Sequence, residues 1–268
     1  MDDESEKSLQ KAGPSYVLGD REYSNIVKDL ANPSVIEHIL SHTRAEAVAY
    51  IGKLLGSGVP RLIVAGPKVA FTASAIEALT DLWEEISAFI KAGKIPKNLS
   101  DRQSGYETWV ELIQEIDSNP IDRDRLKAMK AMFLAANSTN ATDGESIVAY
   151  QLFQIAKKLT SGELLLLKVV YRAYKAKSWP ANATSSNISY WRTRMAQDLG
   201  HGLAGLIRQQ ERALADHNLI TSVVMSGQLE TIVGDPSRIS DLGIKFCENI
   251  EQYQIEVESL ESSRDSAE

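Results

Sequence analysis

The chain has 268 residues, 43% of them apolar and 24% charged, with a formal net charge of −7. These fractions exclude a disordered, fibrous or membrane-embedded composition, and the length suits one large or two ordinary domains. Cys247 is the only cysteine, so an internal disulfide and a cysteine-based zinc site are both excluded.

A lone cysteine suits a reducing compartment, and the acidic, polar start from Met1 to Lys7 is the opposite of a signal peptide's basic and apolar opening. A cytoplasmic location is expected. Asn-X-Ser/Thr triplets at Asn98, Asn137, Asn140, Asn182 and Asn187 then mark polar loops rather than glycosylation sites. The longest apolar stretch, Leu62 to Leu82, is broken by Pro67, Lys68, Glu77 and Asp81. A spanning helix needs about 20 mainly apolar residues, so no membrane segment is expected.

Residues 1–19 are polar and expected to lack fixed structure. Helical periodicity begins at Tyr23, with Ile26 and Leu30, and restarts at Pro33 with Val35, Ile36, Ile39 and Leu40. A further helix is expected over Thr43 to Leu55, ended by Gly56-Ser57-Gly58. Arg61 to Ala65 is apolar but has no neighbouring strand, which favours helix or irregular structure. From Pro67, the spacing of Phe71, Ile76, Leu79, Leu82, Trp83, Ile86, Phe89 and Ile90 predicts a long amphipathic helix closed by Gly93 and Pro96.

Ser104 to Ile116 reads as a helix with Trp109, Leu112, Ile113 and Ile116 on one face, broken by Asn119-Pro120. Asp122 to Ala136 follows, then a polar loop from Asn137 to Gly144, then a helix from Ile147 to Leu159. Thr160 to Glu163 has the signature of a helix start, a side-chain cap followed by an acid in the first turn. The domain seam is placed there.

Beyond the seam the elements come in a specific order. Leu164 to Lys177 is a helix, 179–189 a Ser/Asn/Thr-rich connector, Tyr190 to Leu199 a short helix and Gly200-His201-Gly202 a turn. Gly205 to Asp216 is a longer helix whose spacing turns Leu206, Ile207, Gln210 and Leu214 inward and Arg208, Gln209 and Arg212 outward. Thr221 to Met225 and Gln228 to Val233 read as strands joined by a Ser226-Gly227 turn. A last helix carries Ile244, Phe246, Cys247 and Ile250.

Three helices, a hairpin and a closing helix resemble a winged helix-turn-helix over residues 163–252. The phrases Leu214-Ala-Asp-His-Asn-Leu219-Ile220 and Ile239-Ser-Asp-Leu-Gly243 resemble that superfamily's second-helix end and post-wing helix start. The resemblance implies a module that contacts nucleic acid or docks proteins. Pro120-Ile121-Asp122 through Phe133, with Glu163 to Leu167, resembles prokaryotic helical proteins of the abortive-infection alpha type.

Charge is distributed to match. Residues 163–218 carry eight basic against four acidic residues, net +4, which leaves −11 for the rest of the chain. A basic island suits phosphate contact, because each neutralised phosphate releases counterions. The candidate nucleic-acid contacts are Arg192, Arg194, Arg208, Gln209 and Arg212, with Tyr190 and Trp191 beside them. Residues 248–268 carry seven acids and one arginine, most simply a solubilising end that could also compete internally for the basic island.

Constellations for chemistry are sparse. His38 and His42 share a helix face at metal-ligand spacing but lack a third ligand, and His201 and His217 have no nucleophile to pair with. Gly66-Pro67-Lys68 resembles a phosphate loop, yet Pro67 removes an N–H that a cradle needs. Glu84, Glu85, Glu111 and Glu115 fall on polar helix sides, and Cys247 beside Phe246 reads as a buried, unreactive thiol.

The expected protein is therefore mainly α. A disordered tail (1–19) and a helical N-terminal domain (20–160) precede a winged-helix-like domain with a small β-hairpin (161–252) and an acidic tail (253–268). The expected function is a non-enzymatic regulator without cofactor or metal, partnered by nucleic acid. The alternative is an adaptor in prokaryotic stress or phage defence, partnered by another protein or by a second copy.

Overall fold

The computed structural model describes residues 73–96, 103–117, 122–177, 188–200, 204–226, 229–232 and 235–265. The helices expected between Tyr23 and Leu55 and the segment from Arg61 lie outside them, as do His38, His42 and His201. The described residues are predominantly helical and fall in two compact units: one comprises the chain to Gly93 with Lys97–Ile121, the other Lys94–Pro96 with everything from Asp122.

In the first unit, α1 (Ala73–Lys91) buries Leu79, Leu82, Trp83, Ile86 and Phe89, the three-to-four spacing that makes one apolar stripe. Gly93 closes it with a φ of +70°, a left-handed turn that glycine adopts without Cβ strain. Helix α2 (Gln103–Asp117) buries Trp109, Leu112, Ile113 and Ile116 completely. The two helices meet through Trp83 and Trp109, whose rings lie edge to face with centroids 4.7 Å apart.

The second unit begins with α3 (Arg123–Asn137), started by Asp122, whose carboxylate accepts the Arg125 N–H at 3.0 Å. Helix α4 (Asp143–Ala156) starts four residues earlier than its apolar periodicity suggests. Thr142 and Glu145 form a capping box at the loop's end, which satisfies orphan N–H groups at both positions. A second capping box, Thr160 with Glu163, starts α5 (Ser161–Lys175) where the sequence places a helix start.

Helices α6 (Ile188–Asp198) and α7 (Ala204–Asp216) follow, then strands β1 (Val224–Ser226) and β2 (Leu229–Thr231), and finally α8 (Asp241–Asp265). The strands pair antiparallel with Met225 opposite Glu230, and a separate bridge joins Ile220 to Ile239 at the hairpin's base. Each strand is shorter than its apolar run. Helices α3 and α4 pack together and α8 lies against both α3 and α5, so the seam expected at residue 160 falls between two helices of one unit.

Helix α8 continues through most of the stretch expected to be a tail, with Tyr253 still buried and Ile255 exposed. Its acids have specific partners: Glu251 accepts from Tyr171 at 3.0 Å and Lys175 at 2.9 Å, and Glu256 from Lys94 at 3.1 Å. Its start is fixed by Ser240, whose hydroxyl accepts the Gly243 N–H at 2.9 Å. Gly243 lies so close to the Leu219 carbonyl that a Cβ would stand 2.1 Å from that oxygen.

Candidate nucleic-acid interface

The elements that could address a nucleic acid are α7 and the hairpin after it. Ile207 and Leu214 of α7 are completely buried, and Arg208, Gln209 and Arg212 are exposed on the other side. The buried face differs from the expected one. Leu206, expected inward, is 46% exposed, and the buried stripe between Ile207 and Leu214 is completed by Glu211. A helix places residues 207, 211 and 214 on one face, so the acid occupies an apolar row.

Burial of a carboxylate requires a partner. Glu211 has two: its Oε1 lies 2.6 Å from Nη1 of Arg238, and its Oε2 2.6 Å from Nε of Arg192. Arg238 is itself buried, with a left-handed φ of 66° that carries backbone strain for a residue with a Cβ. Its geometry is fixed on every side. Nη2 and Nε donate to the Thr221 carbonyl at 2.6 and 3.1 Å, and the guanidinium carbon stands 4.7 Å from the centre of the Trp191 ring. Trp191 is buried and donates its indole N–H to the Ser237 carbonyl at 3.3 Å. Helices α6 and α7 are thereby tied to the chain on both sides of the hairpin.

The network reaches the surface through β2. Glu230 accepts from Arg192 Nη1 at 2.7 Å and from Arg208 Nη2 at 3.3 Å. The hydrogen bond from Arg192 holds the Glu230 carboxyl below the usual carboxylate range, against a smaller opposing effect of burial. Burial likewise disfavours the charge on both inner arginines. At Arg192 the hydrogen bonds to Glu211 and Glu230 outweigh it and raise the pKa, whereas at Arg238 burial prevails and lowers it.

The five candidate contacts therefore separate. Arg208, Gln209 and Arg212 share the exposed side of α7. Arg192 has only 13% of its side chain exposed and faces Glu211 and Glu230, and Arg194 reaches Asp198 one turn along α6 at 3.6 Å. Tyr190 is half exposed while Trp191 is core. Among the described residues, no three His, Cys, Asp or Glu side chains gather as metal ligands, and no helix is long and apolar enough to cross a membrane.

Comparison with protein-family models, curated proteins and solved structures finds no match. The site rests on its own geometry. Sequence reasoning missed Glu211, Glu230 and Arg238; a signal existed only for Glu211, an acid three and four residues from the inward Leu214 and Ile207.

Proposed function

We propose that residues 163–252 act as a winged-helix module of a non-enzymatic, cytoplasmic regulator, with α7 and the hairpin contacting nucleic acid. The observation that carries this reading is the exposed row of Arg208, Gln209 and Arg212 on α7, held beside the hairpin by a buried network. Arginines presented on a rigid helix can bind backbone phosphate with bidentate geometry, and glutamine adds donor and acceptor capacity toward phosphates or base edges. Arg192 has a supporting part in this reading, fixing the helix that presents the contacts.

The test is retention of a short duplex DNA at low salt, with the slope of log affinity against log salt measured for each variant. Arg208→Ala and Arg212→Ala are each expected to weaken binding and flatten the slope by about 0.9, the value for one lost phosphate contact. Retention and slope unchanged in the double variant would remove the reading.

A second reading, docking of a protein partner on the same module, is favoured by Leu206 and Val224, which expose about half of their surface on α7 and β1. A purified chain that ignores nucleic acid but loses a co-purifying protein on Leu206→Ser would favour it.

A further inference from the structure

The Glu230 carboxylate occupies a position that an anion from outside could take. Its two oxygens face two guanidinium groups, Arg192 Nη1 at 2.7 Å and Arg208 Nη2 at 3.3 Å. The two arginines differ in what else holds them. Arg192 is bound to Glu211 and enclosed, whereas Arg208 is 69% exposed and its ion pair is the longest of the network. A carboxylate and a phosphate present the same oxygen pair to a guanidinium fork, and an exposed pair is weakly held.

We infer that Glu230 is an internal stand-in for phosphate: it occupies Arg208 in the free protein, and a backbone phosphate displaces it when nucleic acid docks. The inference rests on the nucleic-acid reading for its biological ligand, but the anion site itself is testable separately. Displacement leaves Glu230 paired with Arg192, so no carboxylate is stranded, and Arg208 exchanges one anionic partner for another. The hairpin thus sets the affinity of the helix beside it. An acid from the wing, rather than the acidic C-terminal stretch, has the contact needed for this: in that stretch Glu251 turns to Tyr171 and Lys175, and Glu256 to Lys94 and Gln252.

The experiment compares wild type, Glu230→Gln, Arg208→Ala and the double variant for binding of a labelled short duplex, with Asp216→Asn as a control for general charge removal. Asp216 is an exposed acid at the far end of α7. Glu230→Gln is expected to bind about tenfold more tightly at ~50 mM salt with the salt slope unchanged, because the Arg208–phosphate contact forms in both proteins and only the cost of displacing the carboxylate is removed. The gain should vanish in the Arg208→Ala background and exceed that of Asp216→Asn. A gain that is absent, matched by the control or independent of Arg208 overturns the inference while leaving the nucleic-acid reading intact.

If no variant binds duplex, inorganic phosphate supplies the second arm. Phosphate should raise the melting temperature of Glu230→Ala above that in chloride of equal ionic strength, and should fail to do so once Arg208→Ala is added. A phosphate effect without duplex binding retains the anion site and removes the nucleic-acid reading; absence of both removes the inference. Circular dichroism confirms that each variant is folded.

Discussion

Glu211 and Arg238 form an ion pair 2.6 Å long with 5% and 1% of their side chains exposed, joining the middle of α7 to the chain that returns from the hairpin. Removing one member of such a pair leaves a buried charge without its partner, a loss of about 3–5 kcal/mol. Glu211→Gln is accordingly expected to lower the unfolding free energy by that amount, seen as a lower urea midpoint with an unchanged slope. Replacing both residues by methionine removes both desolvation costs and should be markedly less destabilising than the single change. Equal midpoints for Glu211→Gln and wild type would show that the pair holds nothing in place.

Gly243 and Gly144 make a matched pair of substitutions with opposite expected signs. Both lie near the start of a helix, where alanine is favoured over glycine by roughly 0.5–1 kcal/mol. At Gly144 a Cβ meets nothing within 4 Å, so Gly144→Ala should be neutral or raise the melting temperature. At Gly243 it would stand 2.1 Å from the Leu219 carbonyl oxygen, a backbone atom that can yield only by moving α8 away from the end of α7. Gly243→Ala should lower the melting temperature despite its better helix propensity, as calorimetry of the two variants would show.

The helices were largely readable because their signals are local. Trp109, Leu112, Ile113 and Ile116 repeat at helical spacing, and Thr160 with Glu163 announces a helix start that the coordinates place at the next residue. Apolar periodicity is a poor guide to where polar residues do the capping, which is why α4 begins at Asp143 rather than Ile147. The acidic C-terminal stretch looked like a tail because acids dominate it, yet Tyr253 gives it a buried side and helix α8 carries on. The ionic centre was less legible still. Arg238 and Glu211 are 27 residues apart and meet only after the hairpin folds back, so nothing in the spacing of either marks it as buried. Outward placement of Arg208 and Arg212 followed from helical period alone, whereas Arg192 was lost from the same surface to two carboxylates contributed from α7 and β2.

Cys247 is buried on α8, and burial pushes its thiol up to about 12, with Glu251 and Glu248 adding to the effect. Only the thiolate attacks a disulfide reagent, so the folded protein should be inert toward such a reagent at pH 8 and react fully once unfolded in guanidinium. Rapid labelling of the native protein would show that this part of α8 opens readily.

Asp122 links the starts of two helices, accepting the Arg125 N–H at 3.0 Å and the Ser161 hydroxyl at 2.7 Å. Partial burial opposes its charge, but these hydrogen bonds and the Arg125 charge together hold its carboxyl below the ordinary value of 3.8. Because the folded state binds this proton less readily than the unfolded chain, the stabilisation is fully present above 3.8 and is lost as pH falls through the lower folded value. Glu230, depressed by Arg192, acts in the same direction from an ordinary value of 4.5. Stability measured by urea titration should therefore decline on acidification across this range. Asp122→Asn should flatten that decline and reduce stability at neutral pH, where the charge-assisted bonds are lost. A variant whose stability–pH curve runs parallel to the wild type throughout would mean that Asp122 titrates in the folded protein as it does in the unfolded chain.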